Sequence, residues 1–160
     1  PNTFHIQFNH VYAYIDYTMR LPNIFFSSCC KDTERMATNF SKLISPNSII
    51  YLNGDVGSGK TYFTKKFAMQ FGVYDVSSSS YERISIHKKQ VNFIHCDLYR
   101  DKKNSNLLCD LDHHLFDPWI VVIEWPKQFL PIKNSNHYIV NILHISKNNR
   151  TIQIKKLANC

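Results

Sequence analysis

Eight consecutive residues, Gly54-Asp55-Val56-Gly57-Ser58-Gly59-Lys60-Thr61, fit G-x-x-x-x-G-K-[ST] without a mismatch. The chemistry open to such a stretch is the holding of phosphate. Glycines let successive backbone N–H groups turn inward around phosphate oxygens, Lys60 brings a mobile positive charge to the outer phosphates, and the Thr61 hydroxyl can face Mg²⁺. The competing reading is a glycine-rich turn with no ligand. Two acids downstream complete a candidate constellation. Glu124 closes the apolar run Trp119-Ile120-Val121-Val122-Ile123, and a carboxylate at such a strand end can hold Mg²⁺, directly or through water, opposite Thr61. Asp97 follows Val91-Asn92-Phe93-Ile94-His95-Cys96, a placement that suits a carboxylate orienting water. Arg100 stands three residues on, so a structural Asp97–Arg100 pair is the alternative.

These residues need a strand, a loop and a helix around them. Ile49-Ile50-Tyr51-Leu52 suits a buried strand, and Phe63, Phe67 and Phe71 then recur every fourth residue, which predicts a helix of about three turns after the loop. Gly72 falls where such a helix ends. The run ending at Glu124 reads as a parallel strand buried on both faces. Trp125-Pro126 follows it at the edge where ligands lie in open α/β sheets, so Trp125 is either core packing or a wall of the site.

The flanking chain fills in the scaffold. Residues 1–18 carry irregularly spaced aromatics and are expected to be an N-terminal extension outside the fold, with Met19 as the better start. Ile24-Phe25-Phe26-Ser27 reads as a strand, and Asp32 or Thr33 can cap a helix to about Ile44 that buries Met36, Ala37, Phe40 and Leu43. After Gly72 the serines 77–80 are either a linker or a switch facing the γ-phosphate. Ile84-Ser85-Ile86 is a strand, residues 87–90 a turn, and Leu107, Leu108, Leu111 and Leu115 space as a short amphipathic helix. His113 and His114 are expected to face solvent, because helix neighbours point about 100° apart and no third ligand stands nearby. Residues 138–145 and 151–154 alternate around Asn-rich residues as a β-hairpin. The expected fold is α/β: a P-loop NTPase-like mixed sheet flanked by helices, with a C-terminal β-hairpin, as one domain over 19–160.

Composition sets the outer limits. The chain has 160 residues and a formal net charge of +7, but its lysines are scattered without a stripe of stacking aromatics, so a solvated basic surface is preferred over a nucleic-acid groove. No apolar run nears the roughly 18 residues of a membrane helix. Five cysteines without a C-x-x-C pair predict reduced thiols and a cytoplasmic setting, with Cys96 and Cys109 as packing residues.

In order and spacing, GDVGSGKT, HCDLYR and VIEWP resemble the TsaE family, the small ATPases of bacterial tRNA threonylcarbamoyladenosine biosynthesis. The resemblance spans about residues 19–157. It implies ATP on residues 54–61, Mg²⁺ on Thr61 and Glu124, and a need for Asp97 in hydrolysis. It also implies an accessory role: a complex with TsaB- and TsaD-like partners, kept cycling by ATP hydrolysis, that modifies the adenosine next to the anticodon in tRNAs reading codons that start with adenine. Contact with tRNA itself is then indirect or weak. The sequence departs from the family pattern in three places. Ser78-Ser79-Ser80-Tyr81 replaces Ser-Pro-Thr and an aromatic, Asp110 stands for a Gly, and Asp101 for a Leu. The alternatives are a small-molecule P-loop kinase and an ATP-binding scaffold that has lost hydrolysis.

Overall fold

A computed structural model describes the backbone of residues 5–8 and 11–14 and the whole of residues 23–76, 83–101 and 106–157. The serine segment with Ser80 and the polar loop at 102–105 lie outside the described residues. β1 (His5–Phe8) and β2 (Val11–Tyr14) pair antiparallel as a two-stranded sheet of their own.

The remaining elements are β3 (Asn23–Ser27), α1 (Cys30–Ser41), β4 (Ser48–Asn53), α2 (Lys60–Met69), β5 (Ile84–Lys88), β6 (Asn92–Asp97), α3 (Leu107–Asp112), β7 (Trp119–Glu124), β8 (Asn136–His144) and β9 (Arg150–Lys156). Their seven strands form one mixed sheet in the order β3-β9-β8-β4-β7-β6-β5. β8, β4, β7 and β6 are parallel neighbours, while β9, β3 and β5 join antiparallel. This is the expected mixed sheet, and β8–β9 is the expected C-terminal hairpin.

Burial explains the order. β4 and β7 sit in the middle, and every residue of Trp119–Glu124 is buried, which is why β7 reads as unbroken apolar sequence rather than as alternation. One face packs Ile50, Leu52, Ile120 and Val122 under α1 and α2, with Phe40, Phe63 and Phe67 between them. The other packs Tyr51, Ile94, Val121 and Ile123 against Leu107 and Leu111 of α3. The rings of Phe40 and Phe67 lie 5.5 Å apart, so the helix after the glycine-rich loop is locked to α1 as well as to the sheet.

Some local expectations shift. α1 begins at Cys30 rather than at Asp32 or Thr33, because Asp32 works from inside the first turn: its Oδ2 accepts from the Ser28 N–H and hydroxyl. The helix stops at Ser41, so Leu43 falls beyond it and is exposed, and Ile44 is buried instead. β5 runs on through His87 and Lys88 where a turn was expected. Cys96 packs in the core, but Cys109 is exposed on α3, since the helix turns Leu107 and Leu111 inward and position 109 outward.

Candidate functional site

The glycine-rich loop joins β4 to α2, as its pattern requires. Gly54 has φ of 150°, and a Cβ there would sit 2.3 Å from the Ile142 carbonyl oxygen and 2.6 Å from Ser58 Oγ. No other residue fits. Gly59 caps α2 at φ of 104°, a left-handed conformation that favours glycine. The loop therefore ends at a helix N-terminus whose first N–H groups lack intrahelical partners, a natural anion site.

Lys60 starts α2 yet is almost fully buried. Its Nζ donates to the Gly54 carbonyl at 2.7 Å and the Asp55 carbonyl at 2.8 Å, and it lies 3.6 Å from the centre of the Trp125 ring. Burial pulls its pKa below the ordinary lysine value, while the carboxylates of Glu124, Asp97 and Asp55 pull it back. Lys60 is thus a caged cation: backbone oxygens on one side, an indole face on the other. Trp125 is a wall of the site. Its backbone takes a left-handed φ of 58°, and its ring also meets that of Tyr99 at 4.9 Å.

Strand register brings the two acids together. Asp97 of β6 and Glu124 of β7 are direct partners at the C-terminal ends of adjacent parallel strands, and Glu124 is level with Leu52 of β4, two residues before the loop. Glu124 is 1% exposed. Its Oε2 accepts from the Thr61 hydroxyl at 2.9 Å, and its Oε1 lies 3.0 Å from both Thr64 Oγ1 and His95 Nε2. A polar group buried this deeply is costly unless hydrogen bonds satisfy its oxygens. The result is a hard-oxygen pair, hydroxyl and carboxylate, of the kind Mg²⁺ prefers. Asp97 Oδ1 instead accepts the Tyr99 N–H at 3.1 Å; among the described residues no ion pair joins it to Arg100.

Four side chains at the site are not among the residues that the sequence motifs single out. His95 and Thr64 hold Glu124 from behind. His144 and Arg150, opposite each other on β8 and β9, grip the loop from outside: His144 Nε2 lies 3.1 Å from the Gly57 carbonyl oxygen, and Arg150 Nε donates to the Ser58 carbonyl at 2.9 Å. A periodicity of two places His95 on the same face of β6 as Asp97, and that was the available clue for one of them. His113 is exposed and His114 half-buried, and no cluster of three potential metal-ligating side chains occurs among the described residues. No described helix is long and apolar enough to cross a membrane.

With this geometry established, comparison with known proteins is specific. A family model described as "Threonylcarbamoyl adenosine biosynthesis protein TsaE" matches residues 27–153. The protein of Rickettsia typhi named tRNA threonylcarbamoyladenosine biosynthesis protein TsaE is 28% identical over 129 residues, 79% of this chain and 90% of that protein. Its namesake from Borreliella burgdorferi is 33% identical over 113 residues, 62% of this chain and 78% of the relative. The crystal structure of Bacillus subtilis YdiB matches with a TM-score of 0.66 over 88% of each chain at 20% identity; that likeness is one of fold, and the fold is P-loop NTPase-like.

Proposed function

The chain belongs to the TsaE family of threonylcarbamoyl adenosine biosynthesis proteins, and from that premise we propose that it is a Mg²⁺-dependent ATPase supporting threonylcarbamoyl modification of the adenosine next to the anticodon in tRNAs that read codons starting with adenine. One observation carries the chemical half of this reading. The Thr61 hydroxyl at the mouth of the glycine-rich loop bonds the buried carboxylate of Glu124, so the loop and the acid form one site.

Each residue then has a task. Residues 54–59 offer backbone N–H groups to the phosphates of ATP, and the α2 N-terminus adds its dipole. Lys60 leaves the Gly54 and Asp55 carbonyls for the outer phosphate oxygens, a short displacement that exchanges weak acceptors for charged ones. Thr61 and Glu124 hold Mg²⁺. When bound, the ion neutralises charge that builds on the phosphate oxygens during transfer. Asp97 orients the attacking water and takes up its proton at the strand edge beside Glu124.

Turnover of this kind is useful only when coupled to something else. We assign that coupling to a complex with TsaB- and TsaD-like proteins in the cytoplasm, with tRNA contacted indirectly or weakly. The relatives' shared name favours this over a small-molecule kinase. Residues 19–160 are the single functional domain in this reading, and residues 1–18 are dispensable for nucleotide binding: a chain started at Met19 should bind ATP with unchanged affinity. The test of the whole proposal is capture of the two partners with MgATP, followed by nucleoside analysis of tRNA from depleted cells. Failure of the modification to fall would remove the tRNA role while leaving the ATPase standing.

A further inference from the structure

Arg83 lies at the edge of the site, immediately before β5, and bonds to Asp97, Asp101 and Asp110. Its carbonyl accepts the Asp97 N–H at 3.0 Å, extending the β5–β6 ladder by one bond to the residue that ends β6. Its guanidinium then turns across the following turn: Nη1 donates to Asp101 Oδ2 at 3.3 Å, and Nη2 pairs with Asp110 Oδ2 on α3. Lys127, just beyond Trp125-Pro126, donates to the Asp101 carbonyl. The turn between them is closed by its own bonds, Asp97 Oδ1 to the Tyr99 N–H and the Leu98 carbonyl to the Asp101 N–H.

We propose that Arg83 is a positioning residue for hydrolysis, clasping Asp101 and Asp110 so that the turn bearing Asp97 is held rigidly beside Glu124. The inference rests on the reading of Asp97 as the residue that orients water. Two features favour position over bulk stability. The Asp101 side chain is 10% exposed and that of Arg83 is 27% exposed, so the central pair is partly shielded from water and stronger than a surface pair. The bonds named for the clasp end on Asp97, Asp101 and Asp110, outside residues 54–61.

A carboxylate that orients water acts only within a narrow geometry, and a displacement of about 1 Å can cost on the order of a hundredfold in rate. Arg83→Gln, which keeps the backbone bond to Asp97 but loses the charge, should therefore lower the turnover number for MgATP by about tenfold or more while leaving the ATP dissociation constant within about twofold of the parent. Arg83→Lys should recover part of the rate. Asp110→Asn is the second variant, chosen because the Asp110 side chain is 45% exposed and its loss leaves the core untouched. It should lower turnover in the same direction, and combining it with Arg83→Gln should add little. Hydrolysis is read in the partner complex, with thermal unfolding and ATP binding measured on the same preparations. Unchanged turnover in both Arg83→Gln and Asp110→Asn, when Asp97→Ala has lost it, overturns the clasp alone. Parental turnover in Asp97→Ala overturns the Asp97 reading and the clasp with it. An equal loss of ATP affinity and rate also contradicts the proposal, since it marks Arg83 as merely structural.

Discussion

His95 Nε2 lies 3.0 Å from Glu124 Oε1, across two neighbouring strands and with both side chains almost fully removed from solvent. This contact, with the Thr64 hydroxyl at the same oxygen, leaves Oε2 facing Thr61 and the phosphate loop. The carboxylate is therefore aimed before any ligand arrives. His95→Ala removes one of two hydrogen bonds at Glu124 Oε1 and leaves the Thr64 hydroxyl there, so the expected cost is that of one hydrogen bond, about 0.5–1.5 kcal/mol. Urea unfolding should show a loss of that order, and an unmoved midpoint would show that the contact carries no stability.

Lys60 and Asp97 should separate binding from chemistry. Lys60→Ala removes the caged cation of the loop, and loss of a charge-assisted contact worth about 1.5–3 kcal/mol corresponds to roughly a ten- to hundredfold fall in ATP affinity. Asp97→Ala should bind ATP as the parent does and hydrolyse it far more slowly. Calorimetric titration and phosphate release read the two halves, and parental turnover in Asp97→Ala would take Asp97 out of the mechanism.

Glu124→Gln keeps the shape but removes the charge and turns one of the two acceptor oxygens facing Thr61 and Thr64 into a donor. The expected change is in the magnesium titration of ATP hydrolysis, which should shift to higher concentration by about tenfold or more. If the curve stays where it was, Glu124 is not the metal acid.

The cysteines test β6 directly. Cys96 is fully buried, and burial pushes its thiol up to about 12, so it has almost no thiolate at neutral pH. Brief alkylation of the native protein at pH 8 should modify exposed Cys29, Cys30 and Cys109 and spare Cys96 until the chain is unfolded. Peptide mass mapping gives the answer, and early labelling of Cys96 would contradict the placement of β6 inside the sheet.

Much of this site was legible because its local signals are strong. The loop pattern, the apolar run before it and the phenylalanines after it describe a strand, a turn and a helix that are neighbours in the chain. Asp97 and Glu124 were legible as strand ends, but their direct pairing was not, because nothing in either strand states which strand lies beside it. His144 and Arg150 show the same limit from farther away: they reach the loop only because β8 pairs with β4 and β9 with β8. Boundaries failed where one side chain acts from an unexpected position, as Asp32 does at the start of α1. Cys109 was misplaced because apolar composition was taken for burial on a helix whose inward face is set by Leu107 and Leu111.

If hydrolysis at this site sustains threonylcarbamoyl modification of tRNA, the modification should follow the protein in cells. Depletion of the protein should abolish the threonylcarbamoyladenosine signal in digested tRNA, and expression of the parent chain should restore it while Lys60→Ala and Asp97→Ala should not. A signal that persists through depletion, or that returns with either variant, would contradict the account.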